Sequence, residues 1–229
     1  MSEIVKTRRS YDSPRRREQA RATRRAILEA ARELFIERGY VATTIDAIAG
    51  DADVSPETVY AVFGTKRALL SELIDISIAG DGDAPPVLEQ GWVQEMRDEP
   101  DPRRQLSILA RNGRSILERR APIDEVVRGA AAADPDIAAL WQRGKAQRFA
   151  GQRELLRIIV GETGPRARID LETGADILYA IGSPETYLLL VADRGWSSST
   201  FERWYDATLA RLLLGSSETP AARRARADR

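Results

Sequence analysis

The sequence predicts an all-α protein in which a small three-helix N-terminal domain is joined to a larger helical C-terminal domain. Three observations lead to this fold class. Apolar side chains recur at helical spacing, for example Ile27, Ala31, Leu34 and Phe35. No segment shows the sustained period-two alternation, rich in β-branched residues, that strands would require. Turn signals built from Gly, Pro and Asp divide the chain into pieces of helix length.

The composition excludes several classes of function. The 229 residues contain no cysteine and no histidine, which removes disulfides, thiolate metal sites and the commonest general base. Because the chain also shows no paired carboxylate motif, phosphate loop or metal-ligand spacing, we predict that it is not an enzyme and needs no cofactor. No apolar run reaches the roughly 20 residues that span a bilayer, and none follows the basic N-terminus as in a secretory signal. We therefore expect no membrane partner and a cytoplasmic location.

The 35 basic and 35 acidic side chains are unevenly distributed along the chain. Residues 1–28 carry nine basic and three acidic side chains, and the last ten residues carry four basic side chains and one acidic side chain. We interpret residues 1–19 as a basic flexible arm and residues 216–229 as a disordered tail. Such an arm suits a polyanion such as DNA, although a merely solvated tail would have the same composition.

The N-terminal domain is expected to span residues 20–80. Its first helix should end at Gly39, which accepts a positive φ without steric cost. Thr43 is the predicted N-cap of a short second helix, with Asp46 completing a capping box. A fourth helix is predicted from Lys66 to about residue 78, and a linker rich in Gly, Asp and Pro follows it.

Two short amphipathic helices separated by a tight turn form a helix-turn-helix at about residues 43–63. Ser55 followed by Pro56 is a strong start for the second of these helices. In such a unit the first helix crosses the DNA backbone and the second enters the major groove with its N-terminal residues. Small, polar and aromatic groups there can reach base edges, thymine methyls and phosphates. The side chains available are those of Ser55, Pro56, Glu57, Thr58 and Tyr60.

The C-terminal domain is expected to span residues 81–215. Its helices are predicted at about residues 87–97, 102–119, 122–133, 136–160, 170–181, 184–193 and 199–214. The last helices carry apolar residues that we expect to pair with a second copy of the chain, namely Leu188 to Val191, Trp204, Leu209 and Leu212 to Leu214. Two reading helices set about 34–36 Å apart match a palindromic site on double-stranded DNA, which also predicts a homodimer.

The N-terminal domain has a long series of residues at characteristic spacing. In order and without gaps, they are Ile27, Ala31, Leu34, Phe35, Gly39, Tyr40, Thr43, Thr44, Ile48, Ala49, Val54, Ser55, Thr58, Val59, Tyr60, Phe63, Lys66, Leu69 and Leu70. This pattern, over about residues 20–78, resembles the DNA-binding domain of TetR-type regulators. A looser similarity to the effector domains of some members covers residues 183–197.

This resemblance implies a set of roles for the N-terminal residues. Thr43 and Thr44 would meet phosphate, Ser55 to Thr58 would read bases, Tyr60 would pack on the DNA backbone and Lys66 would bind phosphate. Two features depart from the family pattern. Asp53 stands where the family usually has Gly, but Asp tolerates the left-handed conformation better than most residues. Residues 41–80 also carry six acidic and two basic side chains, so the arm must supply much of the attraction to phosphate.

The resemblance also implies that the C-terminal domain binds a small hydrophobic effector and holds the dimer interface. Trp141 and Phe149, two turns apart on one predicted helix, are the first candidates for the effector site, and Tyr179 is the next. The implied function is a repressor that a small molecule releases from its operator. An activator, or a helix-turn-helix module that binds protein and no effector, remains an alternative.

Overall fold

A computed structural model describes residues 14–80, 84–161 and 169–215, and within these ranges it contains helices and no β-strand. The all-α prediction is confirmed. The N-terminal helices are α1 Pro14–Ala42, α2 Ile45–Asp51, α3 Pro56–Phe63 and α4 Lys66–Ala79. A 3₁₀ turn at Val87–Glu89 precedes α5 Gly91–Asp98, α6 Pro102–Ala131, α7 Pro135–Val160, α8 Leu171–Ile181, α9 Pro184–Leu188 and α10 Ser198–Leu209. The last two helices continue as π-helical turns at Leu189–Asp193 and Ala210–Leu214.

The chain divides into two compact units, and the division falls after Leu70, inside α4. In the N-terminal unit, α1 packs on α2 and α2 on α3. Gly39 has φ 79°, so the chain leaves the helical conformation where the sequence predicts the end of the first helix. The buried side chains repeat at helical spacing on each element and include Ile27, Ala31, Leu34, Phe35, Ile48, Ala49, Val59, Phe63, Leu69 and Leu70.

In the C-terminal unit the long helices α6 and α7 pack together, α8 packs on α7, and α9 and α10 pack on α6. An aromatic group joins α9 to α10, with ring centres 4.9 Å apart for Tyr187 and Phe201 and 5.6 Å apart for Phe201 and Tyr205. The core of this unit includes Leu106, Leu109, Leu117, Leu156, Ile159, Leu178, Phe201 and Leu209. No helix in the described ranges combines the length and apolarity needed to cross a membrane.

Two expectations about helix limits are wrong. Residues 14–19 belong to α1 and not to a flexible arm, because Pro suits the first helical position and the Arg-rich segment after it favours helix. A break between residues 119 and 122 is absent, since α6 runs through Pro122. Proline costs a helix interior about 3 kcal/mol, but Leu117, Ala121, Ile123 and Val126 are buried around it and their packing maintains the helix. Residues 1–13 and the predicted tail at 216–229 lie outside the described residues.

Candidate functional site

The helix-turn-helix is built by polar caps that lie close in sequence to the groups they satisfy. The Thr44 hydroxyl accepts a hydrogen bond from the Ala47 amide (3.1 Å) at the start of α2, and the Ser55 hydroxyl accepts one from the Thr58 amide (3.3 Å) at the start of α3. Each cap accepts from one of the first amides of its helix, which lack a carbonyl partner four residues earlier, and the Thr58 amide also donates to the Ser55 carbonyl (3.0 Å). The caps therefore fix where both short helices begin.

The turn between α2 and α3 depends on Asp53. Its φ is +52°, and it is the only non-glycine residue with a positive φ in the described ranges. The Val54 amide donates to the Ala49 carbonyl (2.9 Å), which closes the turn. The sequence prediction that Asp can occupy the left-handed position here is confirmed.

One edge of α3 faces away from the protein. Val59 and Phe63 are buried, whereas Ser55, Glu57 and Tyr60 are exposed, and 53% of Tyr60 is accessible. Pro56 and Thr58 are half-buried, and the Ser55 and Thr58 hydroxyls lie 3.2 Å apart. We call Ser55–Thr58 together with Tyr60 the leading edge of α3. Its side chains are free to approach another molecule.

Thr43 does not have the role that the sequence suggested. The N-cap of α2 is Thr44, so the predicted capping by Thr43 is wrong. Thr43 is 1% exposed, and its hydroxyl lies within hydrogen-bonding distance of the Gly39 carbonyl (2.8 Å) and the Leu34 carbonyl (3.1 Å). This hydroxyl satisfies carbonyls that the end of α1 leaves open, and its burial makes it unsuited to the predicted phosphate contact. Thr44, by contrast, is exposed.

Lys66 also has a role within the fold that sequence reasoning missed. Its ammonium donates to the Tyr40 carbonyl (2.8 Å) and the Thr43 carbonyl (2.7 Å), and it lies 4.4 Å from the centre of the Tyr40 ring. The first helical residue of α4 thereby holds the segment that joins α1 to α2. The available signal was a lone lysine placed shortly after a helix end, where open carbonyls attract a cation.

The leading edge carries a negative charge, and the positive charge lies on α1. Helix α3 has no basic residue, and the pKa of Glu57 is lowered first by its own backbone amide and then by the Ser55 hydroxyl, so it remains ionised. Arg24 packs its guanidinium 4.6 Å from the Phe63 ring centre. Other arginines of α1 are exposed, namely Arg15, Arg16, Arg17, Arg21 and Arg25.

The C-terminal unit contains a cavity of about 240 Å³ between the C-terminal half of α4 and helices α6 and α7. Its apolar lining comes from Ile74, Ile78, Val127 and Leu140. Its aromatic, charged and amide lining comes from Trp141, Asp75, Arg120, Asp124, Arg143 and Gln147. Every charged member was missed from the sequence, because three helices far apart in the chain bring these residues together.

Of the three aromatic residues predicted to bind an effector, only Trp141 lines this cavity. Phe149 and Tyr179 form an edge-to-face pair with ring centres 5.6 Å apart, and the Arg148 guanidinium lies 4.3 Å from the Tyr179 ring centre. Eight residues along a helix advance about 12 Å and rotate the side chain by about 80°. Phe149 therefore points in a different direction from Trp141, and neither Phe149 nor Tyr179 lines this cavity, so their role in binding an effector stays a prediction.

Ion pairing inside the cavity is uneven. Arg120 Nε and Asp124 Oδ2 are 2.7 Å apart, and both side chains are buried. Burial raises the pKa of Asp124 despite the opposing effect of Arg120. Burial also raises the pKa of Asp75, again against the attraction of Arg120. Of the two carboxyl groups at the cavity, that of Asp124 is buried, whereas Asp75 is an exposed residue whose carboxyl group is only partly removed from water.

The apolar residues expected at a dimer interface divide into two groups. Leu209 and Leu213 are fully buried within the chain, so they cannot pair with a second copy. Leu189 and Leu212, in the two π-helical turns, are 55% and 42% exposed. Trp204 is half-buried, with its ring centre 6.0 Å from that of Trp196.

Residues 27–73 match the family of bacterial regulatory proteins called the tetR family. The chain is 28% identical to the HTH-type transcriptional regulator YdeS of Bacillus subtilis over 181 residues, which are 78% of this chain and 84% of YdeS. It is 41% identical to the Escherichia coli HTH-type transcriptional regulator UidR over 56 residues, which are 24% of this chain and 29% of UidR.

The fold is similar to that of NalD, the secondary repressor of the MexAB-OprM multidrug efflux pump in Pseudomonas aeruginosa. The TM-score is 0.63 and the identity 22%, with 86% of this chain and 98% of NalD covered. The family match covers α2, α3 and most of α1, and so includes the capped helix-turn-helix. Residues 27–73 are therefore similar to the DNA-binding region of the tetR family, and most of the chain is similar to an HTH-type transcriptional regulator.

Proposed function

We propose that the protein is a cytoplasmic homodimeric repressor that a small molecule releases from a palindromic operator. The observation that carries this proposal is the leading edge of α3, whose polar and aromatic side chains are exposed while Val59 and Phe63 are buried. A helix presented in this way by two supporting helices has the form that enters a major groove. The edge would have been useless for this purpose had it been packed inside the unit.

The chemistry of the leading edge suits base contacts more than phosphate attraction. Ser55 and Thr58 offer hydroxyls, Pro56 an apolar surface and Glu57 an acceptor, which together can meet base donors and thymine methyls. Tyr60 and the exposed hydroxyl of Thr44 are placed to meet the DNA backbone. The exposed arginines of α1 supply the positive charge that α3 lacks. Thr43 and Lys66 are left out of the proposed interface because their polar groups bind backbone carbonyls.

A second copy of the chain completes the operator site. One recognition helix covers few base pairs, whereas two of them can read two half-sites about one helical turn apart. Leu189 and Leu212 provide exposed apolar surface for this pairing. Sedimentation equilibrium should give a dimer for the wild type and a weakened dimer for Leu189→Ser. The control Val41→Ser removes another exposed apolar side chain, this one from the N-terminal unit, and should leave the assembly unchanged.

The cavity in the C-terminal unit is the proposed effector site. Helix α4 begins at Lys66, which binds carbonyls of the N-terminal unit, and it carries Asp75 into the cavity lining. A molecule in the cavity can therefore favour one placement of this helix over another. It shifts the DNA-binding equilibrium by no more than its difference in affinity for the two conformers.

The experiment that tests the proposal is selection of bound genomic fragments with the purified protein. We expect one palindrome whose half-sites lie about one helical turn apart, bound with an affinity that falls as salt rises. Tyr60→Ala should weaken binding at least tenfold without lowering the free energy of unfolding. Ile36→Ala, at an exposed position of α1, is the control. Indifference of the wild type to every duplex at low salt would disprove DNA binding.

A reporter gene placed downstream of the selected site distinguishes repression from activation. Repression predicts lower expression when the regulator is present and higher expression when the effector is added. An increase in expression on adding the regulator alone would contradict the repressor role.

A further inference from the structure

The lining of the cavity does not fit the hydrophobic effector that the sequence resemblance implied. Asp75, Arg120, Asp124 and Arg143 all border a space of about 240 Å³. Placing a purely apolar molecule there would remove water from charged groups without replacing their hydrogen bonds, which is costly. The effector must therefore offer a polar or charged group to part of this lining.

Arg120 and Asp124 largely satisfy each other. They form a buried ion pair with Nε and Oδ2 2.7 Å apart, four residues apart on α6. Arg148 and Glu185 also act electrostatically on Asp124. Separating this pair would leave buried charges uncompensated. The pair therefore forms a fixed wall of the cavity and does not supply a free group for a ligand.

Asp75 is different, because its carboxylate accepts no hydrogen bond and forms no ion pair with any residue in the described ranges. Its pKa is raised by burial, and Arg120, which opposes that shift, is already bonded to Asp124. Asp75 is thus an acceptor at the cavity whose charge is incompletely compensated. A ligand that brings a positive charge or a strong donor would stabilise it.

Trp141 supplies the second element of recognition. Its indole lines the same cavity, together with the apolar side chains of Ile74, Ile78 and Leu140. The face of an indole attracts cations as well as flat apolar groups. The Lys145 ammonium, 5.9 Å from the ring centre, already occupies such a position near Trp141. Arg143 also borders the cavity and, like Asp75, is an exposed residue. The carboxylate of Asp75 is nevertheless partly removed from water, since burial is the main cause of its raised pKa.

We propose that the effector is a small organic cation whose nitrogen head pairs with Asp75 while its flat apolar part packs on Trp141. This inference rests on the proposed effector role of the cavity. It replaces the expected hydrophobic effector with a molecule that is apolar at one end and positively charged at the other. An organic anion held by Arg143 is the competing chemistry, and the test separates the two.

Three probes of matched size and shape test the proposal, namely benzylammonium, benzyl alcohol and benzoate. Each is titrated into the purified full-length protein by calorimetry at one ionic strength. We expect the cation to bind at least tenfold more tightly than the alcohol, and the anion to bind more weakly than both. Asp75→Asn should weaken binding of the cation about tenfold, as loss of one charged contact does. It should change binding of benzyl alcohol by less than twofold.

Asp193→Asn is the matched control, because it removes the same charge from an exposed position of the C-terminal unit and should leave all three affinities unchanged. Trp141→Phe, titrated in parallel, should lower the affinity for the cation less than Asp75→Asn does. Stronger binding of benzoate that Arg143→Gln abolishes would overturn the proposal. Equal affinity for alcohol and cation, no binding of any probe, or a cation affinity that Asp75→Asn leaves intact would overturn it as well.

The role of the cavity in regulation is measured separately, by repeating the operator titration with the bound cation present. If the cation binds through Asp75 but leaves operator affinity unchanged, the cation site is supported and the proposed effector role fails. If the protein does not prefer the cation, the proposed cation site is disproved, whatever effect the probe has on operator affinity.

Discussion

The two units of this protein cap their helices in the same way but differ at their glycines. Side chains satisfy amides three residues away at the starts of helices in both units, as with Ser55 in the N-terminal unit and Ser197 in the C-terminal unit. A Cβ added at any described glycine of the N-terminal unit would meet no atom within 4 Å. In the C-terminal unit, by contrast, Tyr205 of α10 lies against Gly113 of α6 and Gly182 at the end of α8. Close steric contact at glycine, between helices that are distant in sequence, is therefore a feature of the second unit.

The difference has a consequence for function. The leading edge of α3 is defined by about twenty consecutive residues, so its geometry can tolerate changes elsewhere. The cavity is assembled from Asp75, Arg120 and Trp141 on three helices, so it depends on how closely those helices pack. We therefore expect steric changes in the C-terminal unit to have the largest effects on stability, and changes at single caps or turns to have smaller ones.

The largest effect is expected from Gly182→Ala. A Cβ at this position would collide with the Tyr205 hydroxyl and lie 2.9 Å from the Leu178 carbonyl oxygen. Overpacking of this kind typically costs about 1–3 kcal/mol, and the backbone contact places this case near 3 kcal/mol. Chemical denaturation should show the loss. Tyr205→Phe removes the hydroxyl and should restore part of the stability in the double variant.

The control for that comparison is Gly151→Ala, inside α7, where a Cβ meets no atom within 4 Å. Alanine there should raise the free energy of unfolding by about 1 kcal/mol because it favours helix more than glycine does. Equal stability of the two alanine variants would refute the claim that close approach at glycine holds this unit together.

The second effect is expected from Lys66→Ala in the N-terminal unit. The substitution removes charged hydrogen bonds to the Tyr40 and Thr43 carbonyls, each of which is worth about 1.5–3 kcal/mol at most. Because the site is only half-buried, we expect a loss near 2 kcal/mol. DNA affinity should fall with stability, but the slope of its logarithm against the logarithm of salt concentration should not change.

Arg25→Ala is the matched comparison, since it removes a positive charge from an exposed position of α1. It should leave the free energy of unfolding unchanged and, if α1 meets phosphate, reduce the salt slope by about 0.9. A reduced slope in Lys66→Ala at unchanged stability would instead restore the phosphate contact that the sequence resemblance implied.

These cases show what the sequence could and could not reveal. The end of α1 at Gly39, the start of α3 at Ser55 and the left-handed turn at Asp53 were predictable, because each depends on conformational preferences within a few residues. Thr43 and Thr44 could not be told apart, since both suit a cap and only the burial of Thr43 distinguishes them.

The sequence was less informative about the C-terminal unit. Periodicity placed Trp141 and Phe149 on one helix but could not show that they face different neighbours. The continuation of α6 through Pro122 depends on packing around a long helix, which overrides the local preference of proline. The acidic side of the cavity involves Asp75 and Asp124, which in sequence look like ordinary surface charges.

A smaller effect is expected at Asp53. Its φ of +52° is strained for a residue with a Cβ. Asp53→Gly should therefore be equal to the wild type or more stable by up to about 1 kcal/mol, and Asp53→Ala less stable by about the same amount. Thermal unfolding measures both. Asparagine also tolerates the left-handed conformation but carries no charge. Asp53→Asn therefore shows whether a change in DNA affinity comes from the charge of Asp53 or from strain in the backbone. Higher stability of the alanine variant would contradict a strained turn.

The smallest effect is expected at Glu118, where polar contacts and not a steric fit link two helices of the C-terminal unit. The Ser198 hydroxyl donates to Glu118 Oε1 (2.9 Å), and Arg114 donates to Oε2 (2.6 Å), linking α10 to α6. These contacts lower the pKa of Glu118 in the folded protein, and the hydrogen bond from Ser198 has the largest effect. Since the pKa of Glu118 is lower in the folded than in the unfolded protein, these contacts stabilise the folded state fully at a pH above the unfolded pKa. This stabilisation is lost as the pH falls through the folded pKa.

Glu118→Gln should accordingly reduce the free energy of unfolding at neutral pH. In acid, below the ordinary titration range of glutamate, the variant and the wild type should be equally stable. The side chain is 48% exposed, and solvent screens such pairs to about 0.5 kcal/mol. High salt at neutral pH should shrink the difference further. A difference that grows in acid would mean that burial, and not these donors, controls the Glu118 carboxylate. Polar contacts would then contribute to the C-terminal unit in a different way from the caps of the N-terminal one.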